Sequence, residues 1–167
     1  MTKLLHPRNK RRDVVFAGIA LLVVIADQLS KWWIRANLAP GESLFDAGFF
    51  QIIHIQNTGA AFGIFKGHPL VFTIFDFIGI IAFLLIVLVL PRRWPSYDGM
   101  LVRAGIGLVL GGTIGNLIDR LHLGQVVDFL DFKIWPVFNV ADASISVGVI
   151  ILAFCIILLA KTAVHKV

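Results

Sequence analysis

Four long apolar runs dominate this chain, at about Val14 to Ile34, Pro69 to Leu90, Met100 to Leu117 and Val140 to Ala160. Each can cross a hydrocarbon core about 30 Å thick, which takes roughly 20 helical residues. Hydrophobic residues make up 58% of the chain and charged ones only 15%, far from the balance of a water-soluble domain. The runs therefore predict an all-α membrane protein with four transmembrane helices plus a small extracytoplasmic β-sheet, in a single integral membrane domain over residues 1–167. The first run follows Lys10, Arg11 and Arg12 as a signal peptide would. It continues into Asp27, Lys31, Trp32 and Trp33 instead of a small-residue cleavage site, so a retained helix is expected.

The formal net charge of +5 does not point to nucleic acid, because the basic residues sit at the ends of apolar runs and are not interleaved with aromatics on a polar face. Lys3, Arg8, Lys10, Arg11 and Arg12 precede the first run. Arg92, Arg93 and Arg103 lie around the second connection, and Lys161 and Lys166 follow the last run. By the positive-inside rule these face the cytoplasm. Both termini are then inside, and the stretches from Arg35 to His68 and from Asp119 to Asn139 are outside. Phe49 to Gln56, bounded by Gly48 and Asn57-Thr58-Gly59, is strand-like and predicts a sheet on the membrane within about residues 40–66, with Phe49, Phe50, Trp32 and Trp33 at the interface.

That topology brings Asp27, Lys31, Asn57, Asn116, Asp119, Arg120, Asp128, Asn139 and Asp142 to one membrane face. Polar groups at one depth point to a single site reached from that side, whereas a conduction path needs them across the bilayer. Asp27 and Lys31, one turn apart, can simply pair. Arg120 keeps its proton and suits a carboxylate or a substrate carbonyl. Asp142 stands where a helix start favours a carboxylate, so capping alone could account for it. If Asp128 and Asp142 meet, repulsion raises one pKa and the pair shares a proton. One carboxylate then deprotonates water while the other polarises a carbonyl, with no covalent intermediate. Asp119 is the rival for the place of Asp128. Asp76, alone in the middle of helix two, is expected to hydrogen-bond a neighbouring helix. Gly107, Gly111 and Gly115 line one face of helix three and allow close helix approach.

Other chemistries find little support. The histidines lack metal-ligand spacing and no cysteine pair exists, so neither a metal nor a cofactor is expected. Cys155 reads as a core residue. No serine has a G-x-S-x-G context or an S-x-x-K partner. Gly105-Ile106-Gly107 lies inside a span without a preceding strand, which excludes a dinucleotide loop. A proton-coupled transporter would need internal repeats and a polar path past the helix midpoints, and a scaffold leaves the gathered polar groups without a role.

Asp27-Gln28 with Lys31, the run from Asn57 to Gly63, Gly111 to Arg120, Val127-Asp128-Phe129 and Phe138-Asn139-Val140-Ala141-Asp142 closely resemble, in order, the motifs of the lipoprotein signal peptidases, or type II signal peptidases, of bacterial inner membranes. The resemblance implies a membrane aspartyl endopeptidase that removes signal peptides from diacylglyceryl-modified prolipoproteins, cutting before the lipidated cysteine. It puts the catalytic pair on Asp128 and Asp142. Asp27, Lys31, Asn57, Asn116, Asp119, Arg120, Asn139 and Ala141 become site-shaping or substrate-binding positions. A monomer in contact with membrane lipids is expected, multi-pass in the bacterial cytoplasmic membrane. Asp76 and the basic extension before Asp13 lie outside the family's pattern.

Overall fold

A computed structural model describes residues 10–58, 69–93 and 99–164. The elements are α1 (Lys10–Asn37), β1 (Ser43–Asp46), β2 (Gln51–Asn57), α2 (Pro69–Arg93), α3 (Met100–Leu123), β3 (Val126–Asp131) and α4 (Val140–Val164). All four helices are long and apolar enough to cross a membrane. Gly59 to Gly63 of the asparagine–glycine run, the sheet region from 59 to 66, Lys3, Arg8, Lys166 and the side chains of Arg92 and Arg93 lie outside the described residues.

Helix α3 is the hub, packing against α1, α2 and α4. Its two faces are stripped of side chains by glycine. A Cβ on Gly107 would lie 2.8 Å from the carbonyl oxygen of Phe16, and one on Gly111 would lie 2.6 Å from that of Ala20. A Cβ on Gly115 would meet the Asp27 carboxylate at 2.5 Å. The predicted four-residue glycine stripe is therefore the seam with α1. On the opposite face Gly105 and Gly112 meet α4, and Gly148 of α4 reciprocates, where an added Cβ would lie 2.7 Å from the carbonyl oxygen of Gly105. A methyl on Gly112 would strike the carbonyl of Ala141 and lie 2.8 Å from Cγ1 of Ile145. Backbone cannot step aside cheaply, so Gly112→Ala is expected to cost about 1–3 kcal/mol, read as a lower melting temperature in detergent; an unchanged melting temperature would show that the seam can open freely.

The sequence reading ends helix three at Leu117, but α3 runs on to Leu123. Asn116, Asp119 and Arg120 resemble a helix end in an apolar run. They continue the helix because their side chains find partners on other elements. The stop is Gly124, at φ 69°, whose N–H donates to the Arg120 carbonyl at 3.0 Å, a left-handed cap that suits glycine.

The sheet is antiparallel in the order β1-β2-β3. Its third strand comes from the connection between α3 and α4, which the sequence reading leaves as a loop around Asp128. Val126, Val127, Phe129 and Leu130 are strand formers interrupted only by Asp128. Strand alternation decides the site: Val127 and Phe129 join Ile34 and Leu38 in a buried cluster, while Val126 and Asp128 line a cavity on the other face. The β2–β3 register slips by one residue between Ile52 and Ile55. Buried His54 lies in that slip, with Nδ1 2.8 Å from the Leu38 carbonyl, tying the strand to the end of α1.

Candidate active site

Asp128 is 2% exposed and meets two asparagine amides. Asn57 Nδ2, from the end of β2, donates to its Oδ2 at 2.9 Å, and Asn139 Nδ2 donates to its Oδ1 at 2.7 Å. Burial first, and the nearby Asp142 carboxylate second, push the Asp128 pKa up to about 7. Asn139 and Asp142 close the start of α4 reciprocally. The Asp142 N–H donates to Asn139 Oδ1 at 2.9 Å, and the Asn139 N–H donates to Asp142 Oδ2 at 3.2 Å. This is a capping box with carboxylate and amide in the paired roles. Asn116 Nδ2 from α3 donates to Asp142 Oδ1 at 2.8 Å, and Asn139 Nδ2 also reaches Asn116 Oδ1 at 3.1 Å. Asn139 thus touches both carboxylates, and Asn116 fixes the second from a different helix.

Beneath these residues lies a buried ion network. Lys31 Nζ is 2.8 Å from Asp27 Oδ2 and 3.3 Å from Asp119 Oδ2, and donates to Asn116 Oδ1 at 2.8 Å. Asp27 and Lys31 do pair with each other, but as part of this larger network, and both are fully buried. Asp27 Oδ1 also accepts the Ala141 N–H at 3.0 Å, which gives Ala141 its place through backbone alone. Asp119 accepts from the Val127 N–H at 3.1 Å and from Gln28 at 3.2 Å, with Arg35 at 3.7 Å. It is committed to the network and does not line the cavity.

Arg120 lies on the other side. Its Nη1 donates to Asp76 Oδ2 at 2.6 Å, and its Cζ sits 5.5 Å from the centre of the Phe72 ring. The bond to a neighbouring helix expected of Asp76 is present. Its position differs from the expectation, since Asp76 stands in the second turn of α2, at the end nearest the site, and not at the helix middle. Asn57, Asn116, Arg120, Asp128 and Asp142 line one cavity of about 300 Å³, walled by Val126, by Trp135 to Phe138 and by Ser146. Among the described residues no lysine or arginine forms an ion pair with Asp128 or Asp142.

Residues 19–158 match the model of the family described as Signal peptidase (SPase) II. The chain belongs to the signal peptidase II family. It is 47% identical to the lipoprotein signal peptidase of Moorella thermoacetica over 86% of this chain and 93% of that one. Identity to the lipoprotein signal peptidase of Dehalococcoides mccartyi is 45%, over 83% of this chain and 86% of the relative. A solved bacterial membrane enzyme superposes with TM-score 0.76 at 35% identity, covering 89% of each chain. A second gives TM-score 0.72 at 34% identity over 83% and 89%. This signal peptidase II family member is thus a multi-pass membrane protein and an aspartic protease by type.

All ten site residues singled out in the sequence fall in one connected neighbourhood of this signal peptidase II relative, divided between the cavity and the network below it. Sequence reasoning missed Arg35 and Ser146 as members. Arg35 is four residues beyond Lys31 and eight beyond Asp27, so a helical stripe of period four marks it. Ser146 is four residues beyond Asp142 on the same face. Gln28, read only as part of a motif, bridges Asp27, Asp119 and the Gly115 carbonyl.

Proposed function

We propose that this enzyme removes signal peptides from diacylglyceryl-modified prolipoproteins, cutting before the lipidated cysteine by water activated between Asp128 and Asp142. The observation that carries the reading is that two carboxylates on different elements, Asp128 and Asp142, line one cavity and are both bonded to Asn139, with Lys31, Arg35 and Arg120, the nearby cations among the described residues, matched to other acids. A pair in that state retains one proton near neutral pH. The raised pKa of Asp128, caused by its burial first and by Asp142 second, supports assigning that proton to Asp128.

The reaction follows from that protonation. Asp142 takes a proton from water as the water oxygen bonds to the scissile carbonyl carbon, and Asp128 gives its proton to the carbonyl oxygen, forming a geminal diol. Asp142 then passes its proton to the amide nitrogen as the C–N bond breaks, and Asp128 recovers a proton from one diol hydroxyl. The signal peptide leaves as a carboxylic acid and the cysteine as a free amine, with both aspartates restored. Arg120 and the asparagines hold the peptide in register.

Orientation is supported by charge. Lys10, Arg11 and Arg12 begin α1 and Lys161 lies in the last turns of α4, at the ends of those helices away from the cavity. We place both termini in the cytoplasm and the cavity at the outer face of a bacterial inner membrane. Exposed Phe49, Trp32, Trp33, Ile134 and Trp135 suit contact with lipid at that interface. A monomer carries every group the reaction uses.

The test incubates purified enzyme with a diacylglyceryl-modified precursor and with its unlipidated counterpart. Cleavage of the first alone is expected. Equal cleavage of both removes the lipid requirement, and cleavage of neither sinks the peptidase reading.

A further inference from the structure

Asp76 is the single acid in α2, a helix whose span from Leu70 to Val89 has a mean hydropathy of 2.8. A carboxylate on such a helix is costly unless a cation meets it. It is met by Arg120, and the geometry is specific. Phe72 and Asp76, one turn apart on α2, hold the same guanidinium by its face and by one nitrogen, so Arg120 is gripped from the side of α2 while it lines the cavity of Asp128 and Asp142. A fork with one nitrogen engaged keeps further N–H groups for a substrate carbonyl.

The charges pair off cleanly around the cavity. From α1, Lys31 meets Asp27 of the same helix and Asp119 of α3, and Arg35 also faces Asp119. Arg120 of α3 meets Asp76 of α2. Asp128 of β3 and Asp142 of α4 are the acids left over among the described residues. Among the described residues the charged groups that act on Asp76 include Arg120, Asp142 and Lys31, so its charge is felt at Asp142, one member of the reacting pair.

We propose that Asp76 is a positioning residue of the peptidase reaction: it holds Arg120 against α2 and cancels its charge, so that the cation orients substrate without drawing the shared proton off Asp128 and Asp142. The inference rests on those two aspartates being the catalytic pair. Removing Asp76 leaves an unmatched cation beside them, which favours their ionised forms. Removing Arg120 leaves an unmatched anion, which favours their protonated forms. The two changes therefore move the reaction's pH dependence in opposite directions.

The experiment measures kcat and KM against pH on lipidated precursor for the wild type, Asp76→Asn, Asp76→Glu, Arg120→Gln and the Asp76→Asn/Arg120→Gln double variant. Asp76→Asn is expected to move the optimum to lower pH by on the order of one unit and to raise KM several-fold, and Asp76→Glu to restore both. Arg120→Gln should move the optimum to higher pH, and the double variant should return it towards the wild-type position despite a raised KM. Should Asp76→Asn fail to fold, the alkaline shift of Arg120→Gln tests the same cancellation. An unmoved optimum in Asp76→Asn, or in Arg120→Gln where Asp76→Asn does not fold, overturns the inference and leaves the catalytic pair standing. Undiminished cleavage by Asp128→Asn or Asp142→Asn instead overturns the reading beneath it.

Discussion

Asp128→Asn and Asp142→Asn are each expected to leave a folded enzyme that still binds lipidated precursor and cuts it roughly a thousandfold more slowly, within the range that general acid–base groups contribute. Each amide keeps the size of the carboxyl, but at position 142 it can neither take a proton from water nor return one to the amide nitrogen, and at position 128 it can neither protonate the substrate carbonyl nor recover that proton. Substantial cleavage by either variant would refute the assignment; an inactive Asp119→Asn beside an active Asp128→Asn would transfer the role to Asp119. The same substitution carries a stability signature. The Asp128 pKa is raised from 3.8 to about 7, so between those values the folded state binds more protons than the unfolded state. Stability contributed by the protonated group is full below about pH 4 and is lost as pH rises through 7. The displacement corresponds to at most about 4 kcal/mol. Asp128→Asn has no proton to lose, so its melting temperature should gain on the wild type steadily from pH 4 to pH 8. Parallel melting curves across that range would contradict a buried, proton-holding Asp128.

Lys31→Met is expected to be the most destabilising single change in the ion network, by about 3–5 kcal/mol. The ammonium is fully buried and holds Asp27, Asp119 and Asn116 together; without it two carboxylates are left short of a cation in a space that water does not reach. Asp27→Asn added to Lys31→Met should recover part of the loss by removing one of those charges. Thermal unfolding in detergent reads both effects, and a Lys31→Met variant within 1 kcal/mol of the wild type would mean that Arg35 alone can neutralise the network.

The helices were legible because hydrocarbon thickness sets a length that apolar runs must meet, and the predicted runs fall within the four helices. Asp27 with Lys31, and the glycine stripe of α3, were legible because helical spacing alone decides which residues share a face. β3 was not. Its pairing joins residues nearly half the chain apart, Gln51 with Asp131 and Asn57 with Val126, and a six-residue strand carrying an aspartate looks like a loop until its partner is known. The role of Asp119 was hidden similarly, because its partners come from α1 and from the backbone of β3, and nothing local distinguishes it from Asp128. Asp76 showed that it needed a partner but not which helix would supply it.

Gly112 meets the carbonyl of Ala141, the residue immediately before Asp142. The depth at which α4 presents its aspartate is therefore set by the lone hydrogen of a residue that takes no part in proton transfer. Any longer side chain there acts as a shim between two helices and lifts one half of the acid pair away from the other. The working gap of the enzyme is in this sense machined by an omission, and catalytic tolerance and helix packing become one dimension measured at a single point.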